Sequence, residues 1–349
     1  MFNPYFTITP KITRDIEAIG AVFGYFKAVK LPESYRKKFV SKVTAETVHA
    51  STAIEGNTLT GKQVEDILSG KKIHAQDQDI TEIINYNNAL EYVERLTTLE
   101  KELAISEKLI KEINTLILKN IRDEISGRYR ARQVTVGDYL PPEHFRVPAL
   151  MHEFVAWLQN PEPPNLSPIL YTGIAHYELV AIHPFEDGNG RTTRVLTTLI
   201  LIQNGYDMTS FFALESYYNR NRKTYYEALN SADKYRAEGK PDVTRWLEYY
   251  VEGMLIEAER AKSRIEELLE KSKKPLDRAW LSNTQVKMLQ VTAEKGSTKT
   301  VNFLAISGLS PKGTYKALQK LVQLELLNKA GKKKGTYYTI TKKGLEYVT

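Results

Sequence analysis

Apolar residues recur three and four positions apart along most of the first 270 residues. This spacing predicts amphipathic helices near 12–29, 33–55, 62–69, 78–97, 106–120, 148–159, 168–182, 190–204, 219–233 and 242–270. The exception is Val134-Thr135-Val136 followed by Gly137-Asp138, an alternating run with turn residues that reads as one short β-hairpin. After residue 275 the pattern predicts helices over 283–294, 299–306 and 311–324, with a Ser307-Gly308-Leu309 turn before the third. Two short strands are expected on either side of Gly331-Lys332-Lys333-Lys334-Gly335.

The fold class is therefore mainly α: a helical bundle with one hairpin, then a winged helix-turn-helix. Ser310-Pro311 supplies the cap and first-turn proline of its third helix. The expected parts are N-terminal helices over 1–100, a core over 101–255, a connecting helix over 256–275 and the last domain over 276–349.

Charge sharpens this division. From residue 271 onward there are 16 Lys/Arg and 4 Asp/Glu, a net of +12; the whole chain carries +7, which leaves −5 for residues 1–270. A basic terminal domain of this kind predicts contact with nucleic-acid phosphates, through Lys312, Thr314, Tyr315, Lys316 and Gln319 and the three wing-tip lysines. Zero cysteines exclude disulfides, thiolate catalysis and cysteine-held zinc. With no apolar run of 18 residues and no basic-then-apolar leader, neither a membrane span nor secretion is expected, and the cytoplasm is the default.

The densest chemistry lies in His183-Pro184-Phe185-Glu186-Asp187-Gly188-Asn189-Gly190-Arg191-Thr192-Thr193-Arg194. A hydroxyl is a poor nucleophile at neutral pH, and His183 is a suitable base for it. Asp187 is a hard ligand for Mg²⁺, and the amides of Gly188, Asn189 and Gly190 at a helix start form a cradle for phosphate oxygens. Arg191 and Arg194 add fixed forks for phosphate. Pro184 and Phe185 read as structural anchors. His176 lies about 10 Å from His183 along a helix, too far to share one ion, and reads as a structural histidine. No Lys-Ser/Thr pair follows the glycines, so this is not a Walker loop.

This loop resembles the Fic signature, His-Pro-Phe-x-Asp/Glu-Gly-Asn-Gly-Arg-x-x-Arg, at every specified position. The resemblance implies a protein adenylyltransferase that moves AMP from ATP onto a Ser, Thr or Tyr hydroxyl (AMPylation), with Mg²⁺ held at Asp187. It implies ATP contacts along 183–194, including Thr192 and Thr193. It also identifies Ser51-Thr52-Ala53-Ile54-Glu55-Gly56-Asn57 with the family's inhibitory motif, whose glutamate pairs with the second arginine, here Glu55 with Arg194. A carboxylate there takes the place of the ATP γ-phosphate and holds the enzyme off.

The segment from Gly127 to Pro142 resembles the Fic flap, which covers the nucleotide and pairs with an extended target segment, with Val134, Thr135, Val136 and Gly137 facing the nucleotide. Tyr225 and Tyr226 fall where relatives contact adenine, although tyrosines at 217, 218, 225 and 226 equally suit helix packing; Asp233 stands where some relatives carry Asn. Two other activities remain open: removal of AMP, with Glu55 orienting a water, and DNA-linked regulation with a nucleotide-sensing Fic part. A target protein, self-modification, DNA through 276–349 and a homodimer are the expected partners.

Overall fold

Local capping chemistry sets where several helices begin. In this computed structural model, which describes residues 2–31, 33–99, 103–161, 163–207, 210–232, 241–273, 281–331 and 335–348, Thr9 accepts from the Ile12 amide to start α1 (Pro10–Ala28), whose proline sits in the first turn. α2 (Glu33–Ile54) follows, and a Thr60/Gln63 capping box starts α3 (Gly61–Leu68). Next come α4 (Asp77–Leu99) and α5 (Glu107–Leu118), the latter capped by Ser106. A 3₁₀ turn at His144–Arg146 leads into α6 (Val147–Gln159).

α7 (Pro168–Ile182) is buried on almost every side, as expected for a helix that is apolar all round. It packs against α6 and α8 (Asn189–Gln203), while α4, α5 and α8 pack on one another. The Trp246 indole donates to the Gly173 carbonyl at 2.7 Å, an approach that needs glycine: a Cβ there would stand 2.9 Å from Leu247 Cδ2.

The helix expected over 219–233 is instead two. α9 (Leu214–Arg220) and α10 (Arg222–Asn230) break at Asn221, whose side chain accepts from the Thr224 amide and so restarts the helix. α11 (Thr244–Lys273) closes this part of the chain. The N-terminal helices do not stand apart from the core: residues 1–266 form one compact unit and residues 267–349 another. The packing of α2 on α9 removes any break near residue 100.

The hairpin is smaller than expected. Val136 and Tyr139 exchange both backbone hydrogen bonds at 2.9 Å around Gly137 at φ 56, and no strand runs through Val134–Gly137. The turn is anchored by side chains, the Tyr139 hydroxyl donating to the Ala181 carbonyl at 2.7 Å and Gln133 to the Pro141 carbonyl at 2.8 Å.

In the second unit, α12 (Asn283–Lys295), β1 (Ser297–Lys299), α13 (Thr300–Ser307), α14 (Pro311–Gln323), β2 (Leu327–Ala330), β3 (Tyr337–Ile340) and α15 (Lys342–Val348) surround a core of Met288, Leu289, Phe303, Leu318, Leu321, Leu326, Leu327 and Tyr338. The antiparallel sheet has the order β1-β3-β2, with Tyr338 opposite both Thr298 and Lys329. β1 and α15 were not expected: β1 is Ser-Thr-Lys, with no apolar alternation to mark it, and long-range pairing to β3 makes it a strand. Thr314 is buried rather than displayed, its hydroxyl 2.8 Å from that of Ser307. Lys332, Lys333, Lys334 and Asp233 lie outside the described residues.

Candidate active site

α7 ends on a histidine in the left-handed conformation, His183 at φ 51 and ψ 59, where glycine is the usual occupant. The chain then turns into Phe185, which is buried against Tyr129 with ring centroids 5.9 Å apart. Asn189 closes the loop on itself, accepting from the Phe185 amide and donating to the Phe185 carbonyl, both at 2.9 Å. Its side chain is therefore a brace; only its backbone amide is left for a ligand. Gly188 (φ 77) starts α8. Asn114 fixes the loop from behind, donating to the Asp187 carbonyl at 3.0 Å and to Thr192 Oγ1 at 3.2 Å while accepting from the Gly127 amide at 2.9 Å.

His183 Nδ1 lies 3.3 Å from the Val180 carbonyl, which can only accept, so Nδ1 carries the proton and Nε2 presents its lone pair. Burial pushes the imidazole down to about 4, Arg130 acting in the same direction against the Val180 bond, Glu55 and Asp187. The ring is thus a neutral base over the ordinary pH range. Arg130 Nε donates to the His183 carbonyl at 2.8 Å, and its backbone amide to the Pro184 carbonyl at 2.9 Å; Nη2 also reaches the Pro142 carbonyl. One guanidinium thereby ties the base to the segment that carries the hairpin. Arg132 adds a second tie, 2.8 Å to Glu186.

The first helical bond of α8 runs from the Thr192 amide to the Gly188 carbonyl at 2.8 Å, so the amides before it have no acceptor within the helix. An anion is favoured there. Glu55 lies beside that place: a Cβ added to Gly190 would come within 2.3 Å of Glu55 Oε1 and 3.0 Å of Arg194 Nη1. Gly190→Ala should therefore dislodge Glu55 and yet leave no room for another anion, because the same methyl fills the cradle. Affinity for ATP is expected to fall at least about tenfold, the equivalent of about 1.4 kcal/mol, in a calorimetric titration; tighter binding would contradict this geometry.

The glutamate is held on both sides. Arg194 is 2 % exposed and donates to Glu55 Oε1 at 2.7 Å, to Ser51 Oγ at 2.7 Å and to the Ser51 carbonyl at 3.1 Å. Burial works to raise the Glu55 pKa, but the charges of Arg194 and Arg191 and the Arg194 hydrogen bond outweigh it and hold the carboxyl below its usual range. Arg194 is held charged by the same pairing. α2 ends at Ile54, Gly56 takes φ 101, and the Asn57 side chain donates to the Asp79 carbonyl and to Glu82 Oε2, each at 3.0 Å.

Asp187 fits the expected metal role in part. Oδ1 accepts from the Gly188 amide and pairs with Arg191 at 3.3 Å, while the side chain remains 37 % exposed. Among the described residues no three His, Asp or Glu side chains cluster as a cation site. Arg191 is buried, and its Nε and Nη1 have no hydrogen-bond acceptor, donors suited to a phosphate. Thr192 departs from the expected ATP contact: it is fully buried, its amide donates to the Gly188 carbonyl and its hydroxyl accepts from Asn114. The Thr193 hydroxyl is buried without a partner.

Of the two candidate adenine residues, Tyr225 is buried, stacked 4.5 Å from Tyr218 with its hydroxyl 3.1 Å from His176 Nε2; only Tyr226 presents an exposed ring. Tyr225 is thus a packing residue, because α10 turns that face inward. His176 is structural as expected, bonded also to Thr197 Oγ1 at 2.9 Å. Its pKa is lowered to about 3, by burial first and Arg194 second. Both histidines fold with pKa values below the unfolded 6.5, so their neutral forms favour the fold above pH 6.5 and that stability is lost as pH falls toward 4 and 3. Melting temperatures should decline from pH 7 to 4.5, and less steeply in His176→Gln; identical slopes would refute the assignment of the loss to His176.

Asn114, Arg130 and Glu82 were not singled out by sequence reasoning. Asn114 carried a signal, a polar residue on the buried stripe of Leu109, Ile110, Ile113 and Ile117. Arg130 and Glu82 carried none.

Residues 104–201 match the family described as Fic/DOC family. Among curated proteins, the chain is 34% identical over 203 residues to Protein adenylyltransferase Fic of Nematostella vectensis, covering 56% of this chain and 45% of that protein. The protein of the same name from Drosophila melanogaster is 36% identical over 199 residues, 55% of this chain and 39% of its own. The chain thus spans less than half the length of these relatives. Among solved structures, a Fic family protein from Desulfovibrio desulfuricans G20 aligns over 98% of this chain and 99% of its own, at 26% identity and a TM-score of 0.67. Fic-1 from C. elegans aligns over 73% of each chain, at 26% identity and a TM-score of 0.58.

Proposed function

Taking the chain as a Fic-domain protein, we propose that it transfers AMP from ATP to a hydroxyl side chain of a target protein and that Glu55 holds it off at rest. The observation that carries this reading is the Glu55 carboxylate on the α8 cradle, 2.7 Å from Arg194, beside a base with a free Nε2. In the reaction, His183 Nε2 takes the proton of the target hydroxyl as its oxygen bonds to the α-phosphorus, and the bridging bond breaks to release pyrophosphate. Mg²⁺ bound at Asp187 would neutralise phosphate charge. The α8 amides and Arg191 hold the remaining oxygens. Labelled ATP supplied to wild type, Glu55→Gly and His183→Ala should mark a target, or the protein itself, weakly, strongly and not at all; equal labelling of the three would sink the proposal.

Removal of AMP is the second reading of this site. Glu55 Oε1 is engaged with Arg194 while the side chain stays 30 % exposed, which leaves room to orient a water. An adenylylated target separates the two, since only removal should require Glu55.

For residues 267–349 we propose a winged helix-turn-helix that binds duplex nucleic acid. The exposed face of α14 carries Lys312, Tyr315, Lys316 and Gln319, in a segment whose net charge is positive. Each phosphate contact contributes about −0.9 to the slope of log K against log salt. Reversing Lys312 and Lys316 to Glu in the full chain should make that slope about 2 units shallower in a fluorescence-anisotropy titration. No change on charge reversal would assign these lysines to solvent. Among the described residues no helix is long and apolar enough to cross a membrane, and the lack of cysteine suits a reducing compartment such as the cytoplasm.

A further inference from the structure

Each arginine of the loop faces one carboxylate from outside it, and the two carboxylates are connected. Arg194 faces Glu55; Arg191 faces Glu82, with Nη1 3.5 Å from Oε1. The other oxygen of Glu82 accepts from the Asn57 side chain at 3.0 Å, two residues beyond Glu55. Asn57 is itself buried, and its Oδ1 accepts from the Leu59 amide at 3.1 Å, so the turn that ends the inhibitory segment is built around this side chain. Glu82 is only 12 % exposed on its side chain and stands on the second turn of α4, a 23-residue helix packed on α5 and α8. It therefore stands on a packed helix between the Asn57 turn and Arg191. A carboxylate shared in this way links the two, since the same side chain accepts from the neutral Asn57 amide and faces the Arg191 charge.

We propose that Glu82 is a positioning residue of the resting state: one oxygen holds the turn behind Glu55 through Asn57, and the other holds Arg191. This rests on the autoinhibited reading above and extends it from one glutamate–arginine pair to two. Arg191 enters the resting state with no hydrogen bond at Nε or Nη1, so phosphate oxygens arriving there compete with Glu82 for a fork that is charged but poorly bonded.

The test uses the full-length protein carrying Glu82→Ala, Glu82→Gln, Asn57→Ala or Glu55→Gly, and Glu82→Ala combined with Glu55→Gly. Amide hydrogen exchange without nucleotide is read first. Residues 51–59 should exchange at least about tenfold faster in Glu82→Ala and Asn57→Ala than in wild type, while Glu82→Gln, which keeps an acceptor for Asn57, stays near wild type. Unchanged exchange in a folded Glu82→Ala overturns the proposal whatever the activity. Labelling by ATP is read second. Glu82→Ala should raise the transfer rate severalfold over wild type and add nothing to Glu55→Gly, because both act through the same seat. A fall in both backgrounds would make Glu82 a support of the active state and also overturns the proposal. If Glu55→Gly itself does not label, the adenylyltransfer reading fails, and exchange still decides the role of Glu82.

Discussion

Replacing Glu55 by glycine should raise ATP-dependent labelling by at least about tenfold, the effect of removing some 1.4 kcal/mol of competition for the cradle. Two features set the direction. The carboxylate lies against Gly190, where an incoming phosphate needs the helix amides, and it occupies one nitrogen of Arg194. Its loss does not orphan that arginine: Nε keeps the Ser51 hydroxyl and Nη2 the Ser51 carbonyl. Because Arg194 is 2 % exposed and keeps only neutral acceptors, the cost to folding is expected to be about 3 kcal/mol, that of leaving a buried charge without its carboxylate. Activation should therefore appear in a protein that melts at a lower temperature but is still folded at the assay temperature. Intact-mass measurement after incubation with ATP, GTP, CTP and UTP in turn would identify the nucleotide as well; no mass gain with any of them would exclude the activity.

Loss of the imidazole should abolish what Glu55→Gly releases. Combining His183→Ala with Glu55→Gly should lower the transfer rate about 10²- to 10⁴-fold relative to Glu55→Gly alone, the usual contribution of a positioned base. ATP affinity should change little, because His183 donates from Nδ1 to Val180 and contributes no phosphate donor. A calorimetric titration beside the rate measurement separates these quantities. A rate within twofold of Glu55→Gly would mean that the base is elsewhere.

The helical fold was legible because each long helix shows its period, and the loop 183–194 because its chemistry is local. What escaped was set by partners distant in sequence. β1 is a strand only because β3 pairs with it, and Tyr225 reads as a ligand candidate until the rings of Tyr218 and Trp246 close around it. Thr192 looks like a phosphate contact in a list of loop residues; Asn114, on another helix, has already claimed its hydroxyl. The pairing of Glu55 with Arg194 spans 139 residues and came from a family resemblance, since no periodicity connects them. Arg130 and Glu82 are invisible by the same logic: a charged residue on a helical chain looks solvated until its neighbours are known.

The conformation of His183 has an evolutionary consequence. A left-handed residue that is not glycine costs of the order of 1 kcal/mol or more, and it sits at a helix end where glycine relieves that strain. Selection for stability alone would drift this codon toward glycine, with Asn as the other tolerated choice, and either would remove the proposed base. A library screened only for thermal resistance should therefore recover loops that have lost the imidazole.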